Sequence, residues 1–529
     1  MFLLTHAKIF TLDERRPQAT ALAIEDGKIL ASGDTQDLLS RFRGQAEVID
    51  LSGRVIIPGL TDAHIHLDYY SAGLQKIDCE TPTLQACLDK VAERAANQPV
   101  GTWILGHGWN QNNWPEGFGS AADLDAVAPH HPVYLTAKSL HAAWANSAAL
   151  RLAGIHAGAL DPQGGQFGRN AQGELNGILF EGAMELVARV IPEASDAEVA
   201  RAIRLAQKNL WAMGITGVHD FDQRRCFSAL QLLQQSGDLK LRVLKSIPLD
   251  LLPQAVELGL RSGFGNHNLR IGQVKAFMDG ALGPQTAAML QPYENSAESF
   301  GMLLMDAEVL FEHGRMAADA GFGLAVHAIG DQANHEVLQA FENLRAYEKV
   351  QFPERAPLLH RIEHVQLLHP QDIHRLGQLG IAASMQPIHA TSDMLMADRY
   401  WGRRAALSYA WRSQLDHGAL LAFGSDAPVE SPNPFWGIHA AVTRRRQDGT
   451  PGEAGWYPEQ KLSLLEALRA YTLAPAQLAG WADRIGRLSP GYHADLLVLD
   501  QDPFECQPED LWRIAPTKTM LAGEWVWEA

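Results

Sequence analysis

One segment near the start of the chain decides how it folds: Arg54-Val-Ile-Ile-Pro-Gly-Leu-Thr-Asp-Ala-His-Ile-His66. Side chains at positions i and i+2 of a strand lie on the same face, so His64 and His66 project to one side. A single histidine in a strand is usually a core residue whose polar atoms are satisfied. Two histidines at this spacing are better explained as metal ligands, because imidazole binds zinc, iron and nickel. The segment therefore predicts a buried strand that ends in a metal site.

Apolar runs of the same kind recur along the chain, at residues 214–221, 241–249, 271–279, 322–329, 361–368, 380–388 and 419–426. Helix-like segments separate most of them, at residues 195–212, 307–320, 332–347 and 370–379. Buried strands that alternate with helices predict a parallel sheet. Together with the first segment the runs make eight strands, which is the number in a (β/α)8 TIM barrel of the α/β class. A doubly wound open sheet is the competing arrangement.

The two ends of the chain differ from this middle, because both contain short strands separated by turn formers such as Asp26-Gly27 and Gly523. This pattern predicts one small composite β-sandwich domain built from both termini. The predicted organisation places its N-terminal part at residues 1–58, the barrel at 59–480 and its C-terminal part at 481–529. Two unrelated β caps would give the same pattern.

A long interval, residues 67–213, separates the first predicted strand from the second. A structureless loop of this length is implausible, so we expect a large folded insertion after the first barrel strand. In a barrel such an insertion leaves from the C-terminal face, where active sites lie. Its aromatic residues, Trp109 and Trp144 among them, either fill the core of the insertion or face a ligand.

The composition is that of a folded globular protein, with 46% hydrophobic and 20% charged residues. The 44 Lys and Arg against 61 Asp and Glu give a net charge of −17, which argues against nucleic acid and anionic membranes as partners. No run approaches the roughly 18 consecutive apolar residues of a membrane helix. The four cysteines form no C-x-x-C pair and the first residues do not resemble a signal peptide. We therefore expect a cytoplasmic protein.

Further candidate ligands occur where later predicted strands end, namely His327, His364 and Asp426. The carboxyl ends of parallel strands meet at one end of a barrel, so these residues would approach His64 and His66. Lys275 lies inside an apolar run, where a buried cation is costly. It is therefore expected to be paired, neutralised or chemically modified.

In combination these motifs resemble the metal-dependent amidohydrolase superfamily, and more closely its amidohydrolase family 3, or YtcJ-like, branch. The resemblance extends over essentially the whole chain. It rests on residues 58–66, 106–109, 140–147, 274–283, 385–389, 423–429, 441–444 and 490–498, with His327 and His364.

The resemblance implies a (β/α)8 barrel with a small composite β domain and a set of metal ligands at the barrel mouth. The ligands carried over by position are His64, His66, Lys275, His327, His364 and Asp426. One-metal and two-metal variants both occur in the superfamily, and Lys275 favours two divalent metal ions, predicted to be zinc although other transition metals accept the same ligands. His64 and His66 would hold one ion, and His327 and His364 the other. Lys275 would bridge them as a carbamate formed with CO2. Asp426 would bind metal and act as the catalytic base.

A weaker set of residues is predicted to contact the substrate: His141, Trp109, Trp144, Gln285 and His389. Each of them could instead close a local hydrogen-bond network. Relatives often have Ser-Arg-Thr where this chain has Pro284-Gln285-Thr286, so a fixed cation is replaced by a neutral side chain and we expect a substrate that is not strongly anionic. Arg403 or Arg404 could instead supply the missing charge. Strand alternation predicts that Glu363 faces away from His364 and pairs with Arg361.

The predicted function is hydrolysis of a C–N bond in a small molecule, such as an amide, an N-acyl or N-formyl compound or a cyclic amide, with water activated by the bound metal. The same site could hydrolyse an ester, a lactone or a phosphoester, because fold and ligands do not select the leaving group. A ligand-binding relative without catalysis is the third alternative. A homodimer is the commonest assembly for such a chain.

Overall fold

The computed structural model describes residues 1–139, 141–294, 296 and 298–529, so Leu140 of the quoted 140–147 motif lies outside the described residues. Contacts divide the chain into two compact units. The first unit consists of Met1–Tyr70 together with Ile203–Ala529, and the second consists of Ser71–Ala202. The second unit lies within the predicted insertion 67–213.

Eight strands form a parallel sheet in the first unit, each paired with its neighbours in chain order. They are β1 (Leu60–Ile65), β2 (Ile215–Asp220), β3 (Arg242–Pro248), β4 (Leu269–Phe277), β5 (Leu324–Ala328), β6 (Arg361–His364), β7 (Ala382–Met385) and β8 (Leu421–Phe423). Every residue of β1, β2, β6, β7 and β8 is buried. Burial along whole strands is expected for a parallel sheet that is covered on both faces.

The first and last strands of this sheet meet and nearly close it into a barrel. The amide of Asp426 donates to the carbonyl of His64 at 2.7 Å, and the amide of His66 donates to the carbonyl of Ala427 at 2.9 Å. A parallel bridge joins Ile65 to Ala427. The predicted (β/α)8 barrel is therefore confirmed, and the doubly wound open sheet is wrong.

Helices connect the barrel strands, and their bounds follow the predicted segments with one clear difference. They are Leu67–Gln75, Asp196–Ala212, Arg224–Ser236, Leu252–Glu257, Ala307–Asp319, Asp331–Gln351, Arg375–Leu379, Pro387–Trp401, Trp411–Asp416, Pro434–Thr443, Leu464–Ala470 and Leu473–Leu478. The segment predicted at 370–379 is helical only in its second half. Turns precede it, and there the buried Asp372 carboxylate binds the side chains of His335 and Arg375.

Both ends of the chain contribute to a small β domain in the first unit. A four-stranded sheet contains, in spatial order, Lys28–Gly33, Ala21–Glu25, Phe2–Thr5 and Glu47–Asp50, beside the helix Thr35–Arg41. A six-stranded sheet contains Glu524–Glu528, Pro516–Leu521, Leu496–Leu499, Val55–Pro58, Lys8–Phe10 and Gln18–Ala19. In this second sheet an N-terminal strand pairs directly with a C-terminal strand, Val55 opposite Leu499. The composite domain predicted from both termini is confirmed.

The second unit has its own sheet and core. Its strands are, in spatial order, Gly165–Arg169, Leu175–Glu181, Ala142–Ala145, Val133–Ala137, Ile104–Trp109 and Ile77–Asp78. Its helices are Leu84–Ala96, Ala121–Val127, Ser147–Leu152 and Gly182–Ala188. The rings of Trp109, Trp114 and Trp144 pack together in its core. The long interval after β1 is thus a folded insertion, as predicted.

A search of the described residues for membrane-crossing segments finds no helix with the necessary length and apolar character.

Candidate metal centre

The strongest site candidates gather at the C-terminal end of the barrel. His64 lies in β1, Lys275 in β4, His327 in β5 and His364 at the end of β6. His66 directly follows β1, and Asp426 lies in the short segment that follows β8. Parallel strands bring their carboxyl ends to the same face, so side chains that are far apart in sequence converge there.

Three of these side chains surround one point. Oδ1 of Asp426 lies 3.4 Å from Nε2 of His64 and 3.4 Å from Nε2 of His66. Two ligand atoms that are each about 2.1 Å from a tetrahedral ion stand about 3.4 Å apart. Ligand atoms of His64, His364 and Asp426 also lie within 4.8 Å of one another. The spacing of these atoms fits a bound metal ion.

Buried carboxylates orient both histidines of the first pair. Nδ1 of His64 donates to Oε2 of Glu363 at 2.6 Å, and Nδ1 of His66 donates to Oδ1 of Asp222 at 2.9 Å. With the proton held on Nδ1, each ring keeps the lone pair of Nε2 on the side of Asp426. Carboxylates that fix histidine tautomers in this way are typical partners of metal ligands.

The second histidine pair is oriented by neutral acceptors. Nε2 of His327 donates to the carbonyl of Gly280 at 2.9 Å, and Nδ1 of His364 donates to Oε1 of Gln386 at 2.8 Å. The free nitrogens are therefore Nδ1 of His327 and Nε2 of His364. The two ring centroids are 4.6 Å apart, close enough for both rings to serve one site.

Lys275 is buried between these pairs, with 4% of its surface exposed. Its Nζ has no hydrogen-bond partner among the described residues and faces the rings of Phe221 and Phe277 at 4.7 and 4.8 Å. Burial lowers the pKa of Lys275 to about 8, although Glu363 and Asp426 oppose the shift. A buried amine with a reduced pKa and no partner is the chemical form that CO2 can carboxylate.

The charge of the site also favours a cation. Burial lowers the pKa of His64 to about 4 and that of His327 to about 3, so both rings are neutral ligands at pH 7. Burial would also lower the pKa of His66, but hydrogen bonds with Asp222 and Asp426 raise it to about 9. The carboxylates near His66 thus favour a second proton on its ring. A bound metal ion would supply the positive charge in place of this proton.

Backbone conformation explains where the prediction for Glu363 was wrong. Arg361 and Glu363 both point into the barrel, where Nη2 of Arg361 donates to Oε2 of Glu363 at 3.0 Å. The expected pairing exists, but the same carboxylate also holds His64. His364 adopts a φ of 75°, in the left-handed region, which turns its ring inward although Glu363 already faces inward. Asp426 has a φ of 60°, and such strain is common at functional sites.

Asp62 is a site residue that the sequence analysis missed. Its buried Oδ1 accepts from the amides of His64 and Ser425, both at 3.0 Å, and its Oδ2 accepts from the Ser425 hydroxyl. Asp62 therefore connects β1 to the segment that contains Asp426 by hydrogen bonds. A side chain at Gly424 would collide with the His64 amide and with Asp62. The spacing could have identified Asp62, because it lies two residues before His64 on the same strand face.

Three of the weaker candidates belong to the second unit. Trp109 and Trp144 are at most 1% exposed, and their indole N–H groups donate to the carbonyls of Leu135 and Ser120 at 2.8 Å. These contacts give both rings a packing role in that unit. His141 is exposed and pairs with Glu181 at 2.9 Å.

The other two weaker candidates are in the first unit. Gln285 is half-buried with a φ of 55°. His389, in the helix Pro387–Trp401, is 6% exposed, and its ring lies parallel to that of His364 with centroids 6.2 Å apart. Nε2 of His389 has no partner among the described residues. His389 thus presents an unused polar atom beside a proposed metal ligand.

A cavity of about 590 Å³ opens next to His66 and Lys275. Its apolar lining residues are Tyr69, Phe221, Pro248, Leu249, Ala276, Phe277, Leu304 and Met305. Its polar lining residues are His66, Asp222, Gln223, Asp250, Lys275 and His313. The volume is typical of a small-molecule site, and the lining offers a largely apolar surface beside the convergent ligands.

Comparisons with other proteins show which family and fold this chain resembles. Residues 47–527 match the model of the amidohydrolase family. The chain is 32% identical over 532 residues to "Putative amidohydrolase YtcJ" of Bacillus subtilis (strain 168), covering 98% of each chain. It is 28% identical to the N-substituted formamide deformylase of Arthrobacter pascens, covering 98% and 97%. A metal-dependent hydrolase from Pyrococcus furiosus superposes with a TM-score of 0.78 at 28% identity, covering 95% and 99%.

Proposed function

This chain belongs to the amidohydrolase family, and we propose that it hydrolyses a C–N bond of a small molecule, as in an amide, an N-acyl or N-formyl compound or a cyclic amide. The observation that supports this most is the convergence of His64, His66 and Asp426 on one point beside the buried amine of Lys275. The name of the Arthrobacter pascens relative adds weight to N-formyl substrates. A homodimer in the cytoplasm remains part of the proposal.

The proposed cofactor is a pair of divalent metal ions, with zinc as the proposed identity. His64 and His66 would hold one ion, His327 and His364 the other, and Lys275 would bridge them as a carbamate. Carboxylation converts a costly buried cation into an anionic oxygen ligand. When bound, such ions lower the pKa of water and stabilise negative charge on a substrate carbonyl oxygen.

Asp426 is the proposed proton carrier. Its side chain is 13% exposed and lies beside both imidazoles of the first pair. From this position it can accept the proton of the attacking water at one oxygen and return it to the leaving nitrogen. The segment that carries it is fixed by the contacts of Asp62 with Ser425.

His389 is the proposed polar contact for the substrate. Its Nε2 is buried beside His364 and has no partner among the described residues. A nearby imidazole N–H can donate to the oxygen on which negative charge develops, which makes this contact stronger in the transition state than in the ground state.

Replacing His389 with phenylalanine is expected to lower kcat by roughly 10²-fold, which is the usual effect of losing one such donor. KM and the metal content should change little, because His389 holds no metal in this proposal. Steady-state kinetics and metal analysis of the purified variant measure both effects. His439 is a buried histidine in the helix Pro434–Thr443, and its phenylalanine variant serves as the control. Equal kcat values for both variants would remove His389 from the site.

The proposed function is tested by metal analysis combined with hydrolysis of an amide library, followed by release of the amine. We expect N-formyl and N-acyl amines with uncharged, apolar substituents to be cleaved, because the cavity is largely apolar. A panel of esters, lactones and phosphoesters tests the alternative chemistry. Metal-loaded protein that cleaves only the second panel would replace amide hydrolysis with that chemistry, and no cleavage in either panel would indicate a ligand-binding protein.

A further inference from the structure

A second group of ligand-type side chains lies next to His66. Ligand atoms of Asp220, Asp222 and Cys226 come within 4.8 Å of one another, and all three residues are buried. Taken alone, two carboxylates and a thiol would be a candidate for another metal site. The side chain that lies against the two aspartates shows instead that the group contains an ion pair formed by the protein.

Lys245 of β3 contacts both aspartates, the carboxylate of Asp220 and the backbone carbonyl of Asp222. Its side chain is 1% exposed, and its Nζ lies 2.9 Å from Oδ2 of Asp220. Nζ also donates to the carbonyl of Asp222 and, at 3.1 Å, to the carbonyl of Ser246. These contacts use all three donors of the ammonium group. The positive charge that this acidic group needs is therefore supplied by the protein itself.

The carboxylates of Asp220 and Asp222 hold the segment that contains His66. Asp220 accepts from the amide of Leu67 at 2.9 Å and from the amide of Asp222 at 3.2 Å. Asp222 accepts from Nδ1 of His66 at 2.9 Å and from the amide of Asp68 at 2.6 Å. The ring of His66 and the backbone immediately after it are thus fixed by the same pair of aspartates.

We propose that Lys245 is a positioning residue, which holds Asp220 and Asp222 so that His66 presents Nε2 to the metal. This inference rests on the proposed function only in assigning His66 as a ligand. Without the ammonium group, Asp220 would lose its buried counter-charge and Asp222 would lose the donor that holds its backbone carbonyl, so both aspartates would be free to shift. Asp222 would then no longer fix the tautomer and orientation of the His66 ring.

The other histidine of the pair has an equivalent support. Glu363 accepts from Nδ1 of His64, and Arg361, which is fully buried, binds both oxygens of Glu363. In each case a buried cation contacts the residue whose carboxylate orients the histidine, Arg361 at the carboxylate of Glu363 and Lys245 at the backbone carbonyl of Asp222. The repetition of one arrangement on two different strands argues that Lys245 has the same task as Arg361.

The experiment is a zinc titration of the metal-free Lys245→Met protein against a chelator of known affinity. Loss of a residue that orients a metal ligand typically weakens metal binding by roughly 10- to 100-fold, and we expect a decrease in this range. Arg242→Met is the matched control, because Arg242 lies on the same strand, is equally buried and pairs with Asp495, which contacts none of the proposed ligands. Its zinc affinity should equal that of the unchanged protein.

A second variant covers the case in which Lys245→Met does not fold. Asp222→Asn keeps the shape of the side chain but weakens the acceptor for His66, and it should reduce zinc affinity in the same direction. Zinc affinity equal to that of the unchanged protein in each folded variant would overturn the role of Lys245. Absence of zinc binding by the unchanged protein would instead contradict the proposed function, so the two failures are distinguishable.

Discussion

Replacing Asp426 with asparagine is expected to leave the metal content unchanged and to reduce kcat by roughly 10³-fold, within the range that a positioned acid–base group contributes. Asparagine has almost the same shape and can still place an oxygen beside Nε2 of His64 and His66. It cannot accept the proton of the attacking water or return one to the leaving nitrogen. The histidines remain oriented by Glu363 and Asp222, so the ligand set should still bind metal.

The measurement is kcat at saturating substrate together with metal analysis of the same sample. Asp398→Asn is a suitable control, because Asp398 accepts hydrogen bonds from Trp456 and Tyr457 and lies outside the proposed site. A metal-replete Asp426→Asn protein with full turnover would show that Asp426 carries no proton in the reaction.

Replacing Lys275 with methionine is expected to reduce the bound metal from two ions to one per chain and to lower kcat by roughly 10³-fold. A cation that stabilises developing charge contributes several kcal/mol, and each 1.36 kcal/mol corresponds to a factor of ten. Methionine fills a similar volume beside Phe221 and Phe277 and cannot form a carbamate. His327 and His364 would then lack the bridging anion.

Two measurements test this prediction. Metal analysis gives the number of ions per chain, and a carbon NMR signal after growth with labelled bicarbonate reports the carbamate in the unchanged protein. Lys275→Arg keeps a positive charge that CO2 cannot modify, and it should lose the labelled signal as well. Two ions and normal turnover in Lys275→Met would exclude the bridging role.

Much of the fold could be predicted because the signals are local. Most barrel strands are short, mainly apolar runs, and the runs at 361–368 and 419–426 predicted β6 and β8, although only residues 361–364 and 421–423 of these runs are strands. The segment 370–379 was overpredicted as a helix, because the side-chain bonds of Asp372 stabilise turns before Arg375.

The supporting residues of the candidate site were harder to predict because they depend on long-range pairing. His64 and Glu363 are separated by 299 residues, and His66 and Asp222 by 156. Strand alternation gave the wrong direction for Glu363 because it takes no account of the left-handed backbone at His364. Residue types at strand ends indicate which side chains can bind a metal, whereas the partners that orient them emerge only once the strands are assembled.

The seam between β1 and the end of β8 has a consequence for folding. Asp62 binds Ser425 across 363 residues of chain, and His64 and Asp426 are joined by a backbone hydrogen bond at the same seam. Contacts between such distant parts of a chain are entropically costly to form early. The proposed ligand set is therefore complete only after this seam has formed, because Asp426 follows the last strand of the barrel.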